Sequence, residues 1–230
     1  MADNQVQVDV SVFMASSIHD MKNSLSLLSG MLEKFLGDLS PQTFDGYSQM
    51  AQMLYEVQRV NGNLIQLLTL YKLGNELYPF DAAPHEMSGF VADVVAQNEA
   101  LFASKSITLT IDVPEELVWH FDEDLVAGAI NQAMNNAANY THDRIALIVR
   151  QSGDDIEIRV EDNGKGYPAA ILAAPDALAR GVNFATGSTG LGLHFAHVIA
   201  SLHRNCGRHG TVHLENGGSL GGGCFVLTLP

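Results

Sequence analysis

The sequence predicts an α+β protein in two parts: an N-terminal helical hairpin that pairs with a second copy as a dimeric four-helix bundle, then an α/β sandwich. Three observations predict it. Apolar residues recur at heptad spacing from Met14 to Tyr71 with one break, prolines gather at 79 and 84, and the remainder alternates strand-like with helix-like patterning. The 230-residue chain is long enough for two modest cores, and 47% hydrophobic against 17% charged residues marks it as globular rather than disordered.

Met14, Ile18, Met21, Leu25, Leu28, Leu32, Phe35 and Leu39 recur at alternating spacings of 4 and 3, the seam of a helix in a left-handed bundle. A break over 37–46 contains the turn formers Ser40-Pro41 and Asp45-Gly46. The rhythm resumes with Met50, Met53, Val57, Val60, Leu64, Leu67 and Tyr71. Two antiparallel helices leave half of each stripe uncovered, and a second hairpin is the economical cover. Tyr78-Pro79 and Pro84 mark a linker, dividing the chain into domains 1–80 and 81–230.

Beyond the linker, His85 to Ala103 reads as a helix, and 107–113 and 117–121 as strands. Asp122 is a natural N-cap for a helix carrying residues 125–140. Residues 144–151 and 155–162 form a hairpin about Gly153, and an irregular glycine-rich stretch runs to Gly190. A helix over 191–203 and strands over 211–216 and 224–230 complete the sandwich, with "GGSLGGG" between the strands read as a flexible loop.

The net charge of −14 argues against nucleic acid or an anionic membrane as the principal partner. No apolar run approaches the roughly 20 residues that cross a bilayer. Cys206 and Cys224 are too few for a disulfide scaffold, so the chain reads as cytoplasmic. His203, Cys206, His209 and His213 lack a paired-cysteine framework and read as core and edge histidines rather than a zinc site.

Three stretches carry chemistry. In "VEDNGKGYP" Asp162 ends a strand, where its carboxylate can accept a hydrogen bond from an exocyclic amine, while Gly164 and Gly166 let the backbone turn tightly. In "GSTGLGLHFA" Gly187, Gly190 and Gly192 run into an apolar helix, whose free N–H groups suit phosphate. No Gly-Lys-Ser/Thr follows, so this is not a Walker loop. In "NQAMNNAANYT" the amides of Asn131, Gln132, Asn135 and Asn136 lie at helical spacing, and amide oxygens suit Mg2+ shared with phosphate.

The order of the three stretches resembles the ATP-binding fold shared by histidine kinases, gyrase-type topoisomerases and chaperone ATPases. "HDMKN", at residues 19–23 on the bundle helix, narrows the resemblance to two-component sensor histidine kinases. The resemblance implies that Asn136 holds Mg2+, with Gln132 one turn earlier, and that Tyr140 borders the nucleotide. It implies that Asp162 reads the adenine amine and that Gly164 and Gly166 shape its pocket. Gly187, Gly190 and Gly192 would pass along the phosphates, under a lid over 167–186 carrying Phe184.

The resemblance also gives His19 a role. It lies beside the seam residue Ile18, pointing outward, with Asp20 adjacent and Asn23 one turn along. A neutral imidazole nitrogen can attack a γ-phosphorus while a neighbouring carboxylate accepts the ring proton. The phosphoryl group would then pass to an aspartate of a response-regulator receiver domain, and Asn23 would orient water for the reverse, phosphatase reaction. A homodimer is implied, and the missing input domain implies a sensor protein in trans. The proline usual after the histidine is absent, and Asn139 stands where many relatives have a lysine near the triphosphate. Lys165 or Arg180 in the lid are candidates for that charge. Two rivals stay open: a phosphotransfer adaptor with weak or lost ATP binding, and an anti-sigma-type serine kinase on the same ATPase fold.

Overall fold

The computed structural model describes residues 10–37, 39, 46–173 and 191–230. It divides into two compact units, Met1–Tyr78 and Pro79–Pro230.

The first unit is a hairpin of α1 (Val10–Gly37) and α2 (Tyr47–Gly74). The heptad seam splits cleanly between two faces. Ile18 is buried and Leu25, Leu32 and Leu39 are half-buried, whereas Met21, Leu28 and Phe35 are exposed. In α2, likewise, Met50, Val57, Leu64 and Tyr71 are half-buried while Met53, Val60 and Leu67 are exposed. One heptad position of each helix therefore serves the hairpin, and the other stays uncovered. Polar ties between the helices run from Gln58 Nε2 to Glu33 Oε1 (2.9 Å) and from Asn61 Nδ2 to Ser26 Oγ (3.3 Å).

The second unit is a sheet layered against helices. Its elements are β1 (Ala83–Glu86), α3 (Met87–Ser104), β2 (Thr108–Asp112), β3 (Val118–Phe121), α4 (Glu123–Tyr140), β4 (Arg144–Ser152) and β5 (Asp155–Asp162). After the short α5 (Ala169–Leu172) come α6 (Leu191–Leu202), β6 (Arg204–Asn205), β7 (Arg208–His209), β8 (Thr211–Gly217) and β9 (Gly222–Leu229). The five-stranded sheet has the order β2-β4-β5-β9-β8, parallel only between β2 and β4. Alternate residues Ile156, Ile158 and Val160 of β5 point into the core, which is closed by Val126, Ile130 and Met134 of α4 and Phe195 and Ile199 of α6.

Two readings of the sequence are corrected. Residues 85 and 86 do not begin a helix; they belong to β1, paired antiparallel with β3. Pro84 fits there because a two-stranded edge leaves its missing N–H without consequence. The "GGSLGGG" tract is only partly a loop, since Gly222 and Gly223 are buried residues of β9. Asp122 does cap α4: its Oδ1 accepts from Leu125 N at 3.1 Å, a contact of about 1 kcal/mol. No described helix is long and apolar enough to cross a membrane.

Candidate functional site

Asp162 ends β5 and is 6% exposed. Its Oδ1 accepts two backbone N–H groups, from Gly164 (2.7 Å) and Gly223 (3.2 Å). Its Oδ2 accepts no bond among the described residues. Glycine is required around it. A Cβ on Gly164 would stand 2.0 Å from the Tyr140 carbonyl oxygen, and one on Gly222 would stand 2.4 Å from the Asp162 carbonyl. A Cβ on Gly223 would come within 2.8 Å of Oδ2. The β9 glycines thus belong to the site, although composition alone reads them as loop.

Gly166 turns the chain with φ +76° and leaves no room for a side chain beside Asn216. Asn216 then takes the strand's role for Tyr167: its Oδ1 accepts from Tyr167 N (2.6 Å) and its Nδ2 donates to Tyr167 O (2.9 Å). Burial, reinforced by the Asp162 charge, pushes the Tyr167 phenol well above its usual range.

The α4 amides divide by role. Asn131 faces α3, donating to Gln97 Oε1 (2.8 Å) and accepting from Asn98 Nδ2 (2.5 Å), and Asn135 donates to the Asn131 carbonyl (2.9 Å). These two are tethers. Gln132 lies against Gly192, where an added Cβ would meet its Nε2 at 2.2 Å. Asn136 is half-buried one turn on, and Tyr140 is 67% exposed at the helix end. Asn139 has a cation beside it: Lys105 Nζ donates to Asn139 Oδ1 (2.7 Å) and to the Ala138 carbonyl (3.1 Å). Burial lowers the Lys105 pKa. Lys105 closes α3, far from Asn139 in sequence, so only the packing of α3 on α4 reveals it.

Arg180, Gly187, Gly190, Phe184 and the lid beyond residue 173 lie outside the described residues. A shallow groove lined by Ile171, Leu172, Leu193, His197, Val212, His213 and Leu214 contains none of the predicted site residues.

Beneath the site, Glu161 is 2% exposed. Its burial would raise its pKa, yet bonds from the Ser219 hydroxyl (2.7 Å) and N–H (2.6 Å), with Arg159 Nε at 3.1 Å, hold the carboxyl below its usual range. These bonds fix the turn that leads into Gly222. Beside them burial pushes the Cys224 thiol up to about 12. His203 is a structural residue: its buried ring accepts from Asp122 N (3.0 Å) at Nε2 and sits 2.8 Å from the Ile199 carbonyl at Nδ1.

In the hairpin unit, the His19 side chain is 57% exposed. Asn23 Nδ2 lies 3.2 Å from its Nδ1, as the spacing predicts, whereas Asp20 Oδ1 lies 4.0 Å away, beyond hydrogen-bond reach in this rotamer.

Residues 121–230 match the family described as histidine kinase-, DNA gyrase B-, and HSP90-like ATPase. Similarity to curated proteins extends over nearly the whole chain. It is 26% identical over 227 residues to the sensor histidine kinase YvrG of Bacillus subtilis, covering 94% of this chain and 38% of that protein. It is also 26% identical over 226 residues to the sensor-like histidine kinase SenX3 of Mycolicibacterium smegmatis, covering 95% and 56%. The chain is thus similar over nearly its whole length to sensor histidine kinases, and its residues 121–230 carry the pattern of the shared ATPase family. The chain spans less than two thirds of the length of those relatives. Its fold matches the Acinetobacter baumannii histidine kinase AdeS (TM-score 0.60, 18% identity, 92% of this chain and 96% of that one). It also matches full-length ShkA, solved in complex with AMPPNP (TM-score 0.62, 19% identity, 94% and 45%).

Proposed function

We propose that this core binds ATP in its C-terminal unit, phosphorylates His19 and passes the phosphoryl group to an aspartate of a response-regulator receiver domain. The observation that carries the reading is Asp162: one carboxylate oxygen is fixed by two backbone donors, and the other, within a shell of glycines, accepts no bond among the described residues. Such an acceptor suits the exocyclic amine of adenine, which donates where guanine presents a carbonyl. Asn136 on α4 would offer an amide oxygen to Mg2+, with Gln132 a turn away. No cluster of three His, Cys, Asp or Glu competes for the metal among the described residues, so an ion carried in by the triphosphate fits this donor set. Bound Mg2+ would offset the charge of the phosphates.

In the transfer, a lone pair of a His19 ring nitrogen forms a bond to the γ-phosphorus as the bond to the ADP oxygen breaks. The other ring nitrogen gives up its proton, to Asp20 after a rotamer change or to water. The exposure of His19 supports both attack on ATP and later delivery to an aspartate. The uncovered apolar stripes of the hairpin support a homodimer that completes a four-helix bundle. Asn23, beside the ring, is proposed to orient water in a phosphatase reaction.

Incubation with Mg-[γ-32P]ATP should give acid-labile, alkali-stable label on the wild type and none on His19→Ala. Label that persists on the alanine variant overturns the assignment. Phosphoserine on a partner points to the serine-kinase rival, and a chain that binds no ATP but accepts phosphate from a phosphorylated receiver points to the adaptor.

A further inference from the structure

Asn163 sits between Asp162 and Gly164 yet faces away from the carboxylate shell. Its Oδ1 meets three successive backbone N–H groups, of His142 (3.2 Å), Asp143 (3.1 Å) and Arg144 (3.0 Å). The Thr141 hydroxyl is 2.7 Å from the same oxygen. Its Nδ2 donates to Asp143 Oδ1 at 2.8 Å, and its own N–H donates to the Arg144 carbonyl at 3.2 Å. One side chain therefore gathers the whole connection between α4 and β4. Asp143 also accepts from Thr108 N through its carbonyl (2.8 Å), so the start of β2 joins the same knot.

We infer that Asn163 is a positioning residue that sets the distance between the carboxylate of Asp162 and the amide-bearing end of α4. The inference rests on the nucleotide reading above. Helix α4 ends at Tyr140, whose carbonyl lies where a Cβ of Gly164 would be, so the Asp162 turn and the helix end approach to backbone contact. The 141–144 connection joins that helix end to β4, so it bears directly on how the helix enters the contact. Three N–H groups converging on one oxygen would also accept an anion. An amide is present instead, next to Asp162 and opposite Asp143, where a third carboxylate would be repelled. The neutral oxygen takes the N–H groups, and the amide nitrogen takes up the Asp143 carboxylate.

The pair can be reversed. Asn163→Asp keeps the acceptor but opposes Asp143, and adding Asp143→Asn restores a donor on the other side. Binding of fluorescent ATP and GTP analogues to the full chain should weaken about tenfold for ATP in Asn163→Ala, with a smaller ATP-to-GTP ratio. Asn163→Asp should lose at least as much and Asp143→Asn less than about threefold, while the double variant returns to within about threefold of wild type. A wild type that binds neither analogue removes the nucleotide reading and this inference together. Wild-type binding with Asn163→Ala within about twofold of it, or a double variant no better than Asn163→Asp, overturns this inference alone.

Discussion

The two chemical centres are built in opposite ways. Around Asp162, two backbone donors and three glycines enclose the carboxylate, and the Asn163 and Asn216 amides hold the chain on either side of it. Around His19 the contacts among the described residues are one amide at 3.2 Å and a carboxylate too distant to bond. A group that reads a ligand gains from being held, because misplacement costs discrimination. On the proposed function His19 would meet first a nucleotide and then a second protein, and such a group gains from standing open. The same contrast runs through the surroundings: the sandwich covers its apolar strands, and the hairpin leaves one heptad stripe of each helix bare.

The largest effect is expected where the hairpin is bare. Leu28 and Leu67 are 42% and 40% exposed on the open heptad positions, and a lysine at each can keep its aliphatic stem against the hairpin while its charge stands in solvent. In a dimer the change removes four apolar contacts, each worth about 1.5 kcal/mol or more, and sets charges in the seam. Sedimentation at about 10 μM should show wild-type dimer and variant monomer, a loss of affinity above about a thousandfold, with helicity preserved. If the lysine variant sediments with the wild type, the open stripes are not the pairing surface and the contrast drawn here fails for the hairpin.

The closed centre is tested next by Gly164→Ala. The added carbon would meet backbone, 2.0 Å from the Tyr140 oxygen and 2.8 Å from its carbon, and neither can rotate aside. A destabilisation of about 3 kcal/mol is expected, lowering the sandwich transition by about 6–12 °C in a thermal scan and removing nucleotide binding. An alanine variant with wild-type melting would mean that the turn is looser than its contacts indicate.

How much of this was legible in the sequence differs by kind of information. Periodicity gave both hairpin helices, and strand alternation with Gly153 gave β4 and β5, because those patterns are local. The heptad even contained both faces of the hairpin, though spacing alone does not say which position faces which neighbour. Asp162, Gly164 and Gly166 were readable from a short motif. Lys105, Asn163, Asn216 and Gly222 were not, since each acts on residues brought to it by folding: Lys105 on Asn139, Asn163 on the 142–144 backbone, Asn216 on Tyr167, Gly222 on Asp162. Pro84 and the glycine tract misled for a related reason. Both read as breakers until an edge pairing and a buried carboxylate supply the context that favours them.

The smallest expected effect lies at the start of the sandwich, where the chain leaves the linker. Asp81 N donates to Asp122 Oδ2 (3.1 Å), Asp122 N donates to His203 Nε2 (3.0 Å), and Phe80 meets the His203 ring edge-on at 5.1 Å. Burial lowers the His203 pKa from its usual 6.5 by desolvating the charged ring. The unfolded chain therefore binds the proton more readily than the folded one. Stability from this site is complete above about pH 6.5 and declines as the pH falls below it, down to the lowered folded value. Urea unfolding at pH 7.5 and 5.5 should show the decline in the wild type. In His203→Gln, which retains an acceptor without a titrating ring, the slope should be shallower. Equal slopes would mean that the Asp122 contact opens without cost, leaving the entry to the sandwich as loose as the surroundings of His19.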